Sequence, residues 1–240
     1  VDYCTKYGLD ENRAWTMGHL AKLQALEGKY EEAISNLKTG IQIFEKLGFE
    51  KDVVEFYQAL GDIYLDLGEA QTALESFDKT YNYYDRVKDS LRIVQAVIRQ
   101  SDAYLLQGNL EKALAVLEDA TPIATKSRVE TNIVTLKKQK ARVLSRQQKW
   151  DQAEPLLQDV LVYCQERDRP NLEAETYYDL ATIYFQQGLY PKAITTHQLS
   201  ITLADTLKLS KLSRFCQVWK VDSSSSFWRI TSCMTSVVRA

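Results

Sequence analysis

Lys138, Arg142 and Arg146 fall at i, i+4 and i+8, a spacing that places three side chains on one face of a helix. Like charges at i,i+4 destabilise an isolated helix by about 0.2–0.5 kcal/mol per pair, so the row invites a functional reading. One reading is a contact for an acidic partner, because Arg grips a carboxylate through two parallel hydrogen bonds. The other is a solvated face neutralised by neighbouring acids such as Glu175 and Asp179. The segment around the row carries five bases and no acid, whereas the segment holding Glu55, Asp62 and Asp66 carries three acids and no base. The formal net charge is only −2, so charge is separated along the chain and there is no basic excess to draw it onto nucleic acid.

Other residues that do chemistry are sparse. His19 and His197 are the two histidines and lie at opposite ends of the chain. A nucleophile–His–acid arrangement needs them to converge, and structural roles are expected for both. Cys4, Cys164, Cys216 and Cys233 form no CxxC or CxxxC pair. Neither a zinc site nor a disulfide framework is therefore expected, and a reducing, cytoplasmic setting fits best. No phosphate-binding glycine loop follows a strand pattern. No apolar run approaches the roughly 18 residues of a membrane span. The expectation is a chain without enzymatic activity, cofactor, metal or membrane segment.

The elements that position these residues come from an internal repeat. Gly28, Gly68, Gly108 and Gly188 are spaced by 40 or its multiples, with Gln148 in the missing phase. Ala33, Ala73, Ala113, Ala153 and Ala193 follow each turn at a fixed distance. In the second copy Tyr57, Leu60, Gly61 and Tyr64 form one helical stripe, and Ala73, Leu74, Phe77 and Tyr81 form the stripe of a returning helix. Gly61 and Ala73 are small where the two helices approach, and Tyr64 and Phe77 fill the space beside them. One such hairpin cannot bury both faces, so copies must stack.

The segment LGDIYLDLGEAQTALESF resembles the tetratricopeptide repeat, and DLATIYFQQGLYPKAITTH matches it except for His197 in a large apolar place. AEPLLQDVL is similar to the longer, roughly 40-residue subclass of kinesin light chains and bacterial regulators. The resemblance implies an all-α fold, a right-handed α-α superhelix of five helix hairpins over residues 14–210. Residues 1–13 read as the end of a preceding repeat within a longer protein, and 211–240 as a non-repeat tail that caps the stack or is disordered. Ser101 and Lys137 depart from the small or aromatic pattern, so looser packing is expected there; Pro155 is expected to perturb the start of its helix.

The resemblance also implies that the first helix of each hairpin lines a groove. Residue by residue, this assigns to the groove Asp62 and Asp66 in copy two, Asp102, Leu105 and Leu106 in copy three, Lys138, Arg142 and Arg146 in copy four, and Tyr178 and Phe185 in copy five. The Lys and Asn of a carboxylate clamp are missing: copies one and two have Gly18, Lys22, Gln58 and Asp62 there. The expected function is a scaffold binding a protein or peptide with an acidic segment across copies three to five, with self-association through the stack ends. The alternative is a regulatory segment that senses a signal peptide or small molecule.

Overall fold

The computed structural model describes residues 9–207, and the readings for the first eight residues and for 211–240 lie outside the described residues. Ten helices fill that span: α1 (Asp10–Leu26), α2 (Tyr30–Leu47), α3 (Glu50–Asp66), α4 (Ala70–Arg86), α5 (Ser90–Leu106), α6 (Leu110–Ser127), α7 (Glu130–Arg146), α8 (Trp150–Glu166), α9 (Pro170–Gln186) and α10 (Tyr190–Thr206). They form five helix hairpins, and no strand occurs among the described residues. Contacts divide the chain after Val129 into two compact units. In the first, α1 to α6 pack in sequence, with added contacts of α1 on α3 and α3 on α5. In the second, α7 packs on α8, α8 on α9 and α9 on α10, with α7 also touching α9.

The turns explain the repeat. Gly28, Gly48, Gly68, Lys88, Gly108, Arg128, Gln148, Asp168 and Gly188 all have positive φ, between 50° and 78°. The left-handed turn thus recurs every 20 residues, and the sequence shows the 40-residue glycine spacing because four of these places hold other residues. At Gly28, Gly68 and Gly188 the next amide closes back on the helix, as in Lys29 N–H to Gln24 O at 2.8 Å, Glu69 to Tyr64 at 2.8 Å and Leu189 to Tyr184 at 2.9 Å. This satisfies end carbonyls and starts the next helix at once. At Arg128 the Val129 amide instead donates to Ser127 Oγ, 3.3 Å away.

Small residues set the helix approach. A Cβ on Gly61 would overlap the Phe77 ring, as the stripe pattern predicts. The same holds for Gly18 and Gly40, both of which would strike Phe56. Phe56 therefore sits in a slot cut by one glycine on α1 and another on α2. Around it Phe44 lies edge-on at 5.2 Å and Trp15 at 6.2 Å between ring centroids. Ser101 is fully buried, so its size suits the close approach and the expected looseness is not seen. Lys137 reaches across to Asp159 at 2.6 Å. Pro155 lies inside α8 and Pro122 inside α6, both exposed, so each missing amide faces the wet side of its helix.

Candidate functional site

In the second unit, α7 and α9 are joined by a ladder of polar contacts. Lys138 Nζ is hydrogen-bonded to Glu175 Oε2 and lies 3.9 Å from Asp179 Oδ2. Arg142 Nε stands 4.0 Å from Asp179 Oδ1, and its Nη1 donates to Gln139 Oε1 at 3.1 Å. Ser145 Oγ donates to Gln186 Oε1 at 3.0 Å. The basic row is therefore graded. Lys138 is only 14% exposed and committed to two acids, Arg142 is 48% exposed, and Arg146 is exposed at the end of the helix. Arg146 also lies where a helix favours positive charge.

Asp179 is the inner acid of this ladder, with 16% of its side chain exposed. Burial raises its pKa above the ordinary aspartate range, Lys138 and Arg142 oppose that rise, and Glu175 adds to it. Tyr178, next to it, is half-buried and tilts over His197 of α10 at 5.9 Å. His197 is buried in the large apolar place that the repeat pattern assigns. Phe185 is half-buried and meets the exposed Tyr190 edge-on at 5.5 Å. The second unit thus presents two guanidinium groups on α7, with two aromatic positions on the neighbouring α9.

In the first unit, Asp62 and Asp66 lie on α3, and Asp102, Leu105 and Leu106 on α5. Arg99 joins the two helices: its Nε is 3.2 Å from Asp62 Oδ1, and its Nη1 is 3.6 Å from Asp102 Oδ2. The Arg99–Asp62 contact is close but poorly aligned, an ion pair without a directed hydrogen bond at Oδ1. Burial raises the Asp62 pKa, Arg99 opposes that rise, and Asp66 and Asp102 add to it. Asp66 is exposed, and Leu105 and Leu106 are half-buried. Nearer the start, a shallow cleft open to solvent lies between α1 and α3. Trp15, His19, Lys22, Glu55 and Phe56 are among the residues that line it.

Two groups were missed by reading motifs. Arg99 is one. The other is Glu154, which accepts from Tyr184 Oη at 2.7 Å and from Lys192 Nζ at 3.2 Å, while Lys192 sits 3.8 Å over the Tyr184 ring. Burial alone would raise the Glu154 pKa, but the hydrogen bonds from Tyr184 and Lys192 and the lysine charge bring it below the ordinary value. A signal for both was present. Opposite charges 37 or 38 residues apart pair successive hairpins in Asp62–Arg99, Lys138–Glu175 and Glu154–Lys192, while Glu50–Arg86 and Glu130–Arg167 tie the two helices of one hairpin. Among the described residues no group of three or more His, Cys, Asp or Glu is placed to hold a metal ion. None of the described helices is long and apolar enough to cross a membrane.

The fold is shared with several solved proteins. A Rap conjugation gene regulator in complex with the Phr* peptide matches with a TM-score of 0.73 at 17% identity, covering 85% of this chain and 57% of that one. A Rap protein complexed with competence and sporulation factor matches at 0.74 and 15% identity, covering 86% and 58%. Repeats of a kinesin light chain from Podosopora anserina match at 0.64 and 18% identity, covering 82% and 97%. Among curated proteins, 26S proteasome non-ATPase regulatory subunit 6 of Dictyostelium discoideum is 30% identical over 129 residues. That alignment takes in 51% of this chain and 33% of the relative, so the chain spans about a third of the curated relative it matches. The tetratricopeptide repeat profile matches residues 53–126 and 132–206, more than half of the sequence, and the chain belongs to the tetratricopeptide repeat family.

Proposed function

We propose that residues 14–210 act as a binding array, in a cytoplasmic setting, whose α7–α9 face takes a peptide or protein segment bearing a carboxylate beside an apolar side chain. The observation that carries this reading is the grading of the basic row. Lys138 is nearly buried between two acids, Arg142 touches Asp179 and Gln139 yet keeps 48% of its side chain exposed, and Arg146 is exposed at the helix end, on a helix next to Tyr178 and Phe185. Lys138 then holds α9 in place, and the two arginines make the contact with the partner. A guanidinium offers a fixed fork of donors and so sets the direction of a bound carboxylate. The acids of the first unit, Asp62, Asp66 and Asp102, would disfavour an acidic segment near Leu105 and Leu106, which gives selectivity by repulsion. Binding of this kind involves no bond-breaking step.

A signal-peptide sensor is the second reading, favoured by the Rap structures that share the fold and were solved with a peptide or with competence and sporulation factor. One experiment serves both. Peptides selected on the purified chain are titrated against wild type, Arg142→Glu and Arg146→Glu at low and high salt. Acid-containing peptides that lose about tenfold or more in affinity in the Arg142→Glu chain, with a steep salt dependence, support the reading. Peptides without acids, or binding indifferent to both variants and to salt, would remove it.

A further inference from the structure

Helix α9 places Asp179 between the two inner cations of α7. Its Oδ2 lies 3.9 Å from Lys138 Nζ, is shielded from solvent and has no hydrogen-bond partner. Its Oδ1 lies 4.0 Å from Arg142 Nε, beyond hydrogen-bond length. The Arg142 guanidinium is aimed instead by the 3.1 Å hydrogen bond from Nη1 to the buried Gln139. Asp179 therefore acts on Arg142 through charge and does not set its direction. Its side chain is 16% exposed against 48% for Arg142, so the carboxylate lies behind the guanidinium as seen from solvent. Lys138 already has Glu175 as a partner. Lys138 and Arg142 against Glu175 and Asp179 leave the inner ladder without net charge.

We infer that Asp179 determines the specificity of the α7–α9 face, as an internal carboxylate that competes with the ligand's carboxylate for Arg142. The inference rests on the reading of that face as a carboxylate site. With the ladder neutral, an acid alone gains little from Arg142, and an apolar side chain beside it must add its own contact. Two unit charges ~8 Å apart near a protein surface change affinity about three- to tenfold once salt screens them. Protonating Asp179 removes the competition. Burial favours that protonated form, Lys138 and Arg142 of α7 oppose it, and Glu175 of its own helix adds to it. From α8, Cys164 is buried and its thiol is pushed up to about 11, so it stays neutral at and below pH 7. From α10, His197 packs on the adjacent Tyr178. A ligand carboxylate, with an ordinary pKa of about 4, stays ionised at pH 5.5. Its arrival brings a further negative charge to Asp179 and strengthens the hold on a proton there. Binding therefore takes up protons and tightens as pH falls from 7 to 5.5.

The test is calorimetric titration of the full 240-residue chain with an acid-containing peptide selected on it, and with the analogue whose acids are amides. Buffers of different ionisation enthalpy count the protons taken up. Asp179→Asn keeps the size of the side chain and removes its charge. At pH 7 it should bind the acidic peptide about three- to tenfold tighter than wild type, and the amide analogue equally. At pH 5.5 wild type should take up protons on binding and Asp179→Asn should take up none. His197→Phe, which puts the large apolar residue of the repeat pattern in that place, should still take them up. Asp179→Asn that binds no tighter, or more weakly because the acid aims Arg142, would overturn the inference. So would wild-type binding without proton uptake, or uptake that disappears in His197→Phe. Arg142→Glu separates the two readings. If it leaves binding intact, the carboxylate site falls and this inference with it; if it weakens binding while Asp179→Asn brings no gain, this inference alone falls.

Discussion

The α3–α5 face of the first unit and the α7–α9 face of the second are built alike with opposite sign. In each, one inner carboxylate is lifted in pKa by burial and held by a cation, Asp62 by Arg99 and Asp179 by Lys138 and Arg142. In each, the last residue of the helix escapes pairing at the 37-residue offset. Asp66 finds Ala103 there and Arg146 finds Ile183. Sequence charge therefore overstates what a partner meets: the inner charges hold neighbouring hairpins together, and the outer ones face the solvent. The faces differ in depth. Lys138 is 14% exposed, whereas Arg99 is 44% exposed.

That difference in depth gives the largest expected effect. Lys138→Met removes a cation from between Glu175 and a nearly buried Asp179, and should cost about 2–3 kcal/mol of stability. Arg99→Met breaks a wetter pair and should cost about 0.5 kcal/mol. Urea unfolding of both variants beside wild type measures the contrast. Equal losses would mean that the two ladders are equivalent in strength and that exposure does not rank them.

The inner acids should also show in the pH dependence. The folded chain holds the protons of Asp62 and Asp179 more tightly than the unfolded chain does. Stability from these groups therefore falls as pH rises from about 3.9, the ordinary aspartate value, through the raised folded values, and is flat above them. Asp179→Asn should gain stability relative to wild type across that window. Glu154 has the opposite sign, because its folded pKa is lowered. Its contribution is present at neutral pH and lost as pH falls through the folded value, and Glu154→Gln should remove that loss. Unfolding curves at pH 4, 5.5 and 7 separate the two slopes.

Much of the fold was legible because small residues and turns repeat at fixed phase. Gly61 against Phe77 could be placed from a stripe of four residues, and ten helices from the spacing of glycine and alanine. The site was legible only in part. Lys138, Arg142 and Arg146 share one helix, as their spacing implies, but periodicity within a helix says nothing of the next hairpin. The cross-hairpin offset of 37 or 38 residues distinguishes Lys138 from Arg146, and it emerges only when charges are compared between copies.

The smallest expected effect compares the turns of copies two and four. Gly68 and Gln148 hold the same left-handed conformation, with φ of 78° and 60°. A Cβ on Gly68 would meet nothing within 4 Å, so the cost of a side chain there is in the backbone angles alone. An L-residue in this region is disfavoured by about 1 kcal/mol, and part of that is returned because glycine loses more freedom on folding. Gly68→Ala should therefore destabilise by about 0.5–1 kcal/mol, and Gln148→Gly should stabilise by about 0.5 kcal/mol. The paired measurement is the thermal midpoint of each variant under identical buffer conditions. Opposite shifts of similar size would establish that the two turns differ only in backbone strain. A loss in Gln148→Gly would show that the glutamine side chain makes a compensating contact, and the left-handed turn of copy four would then be held by its side chain as well as by its backbone.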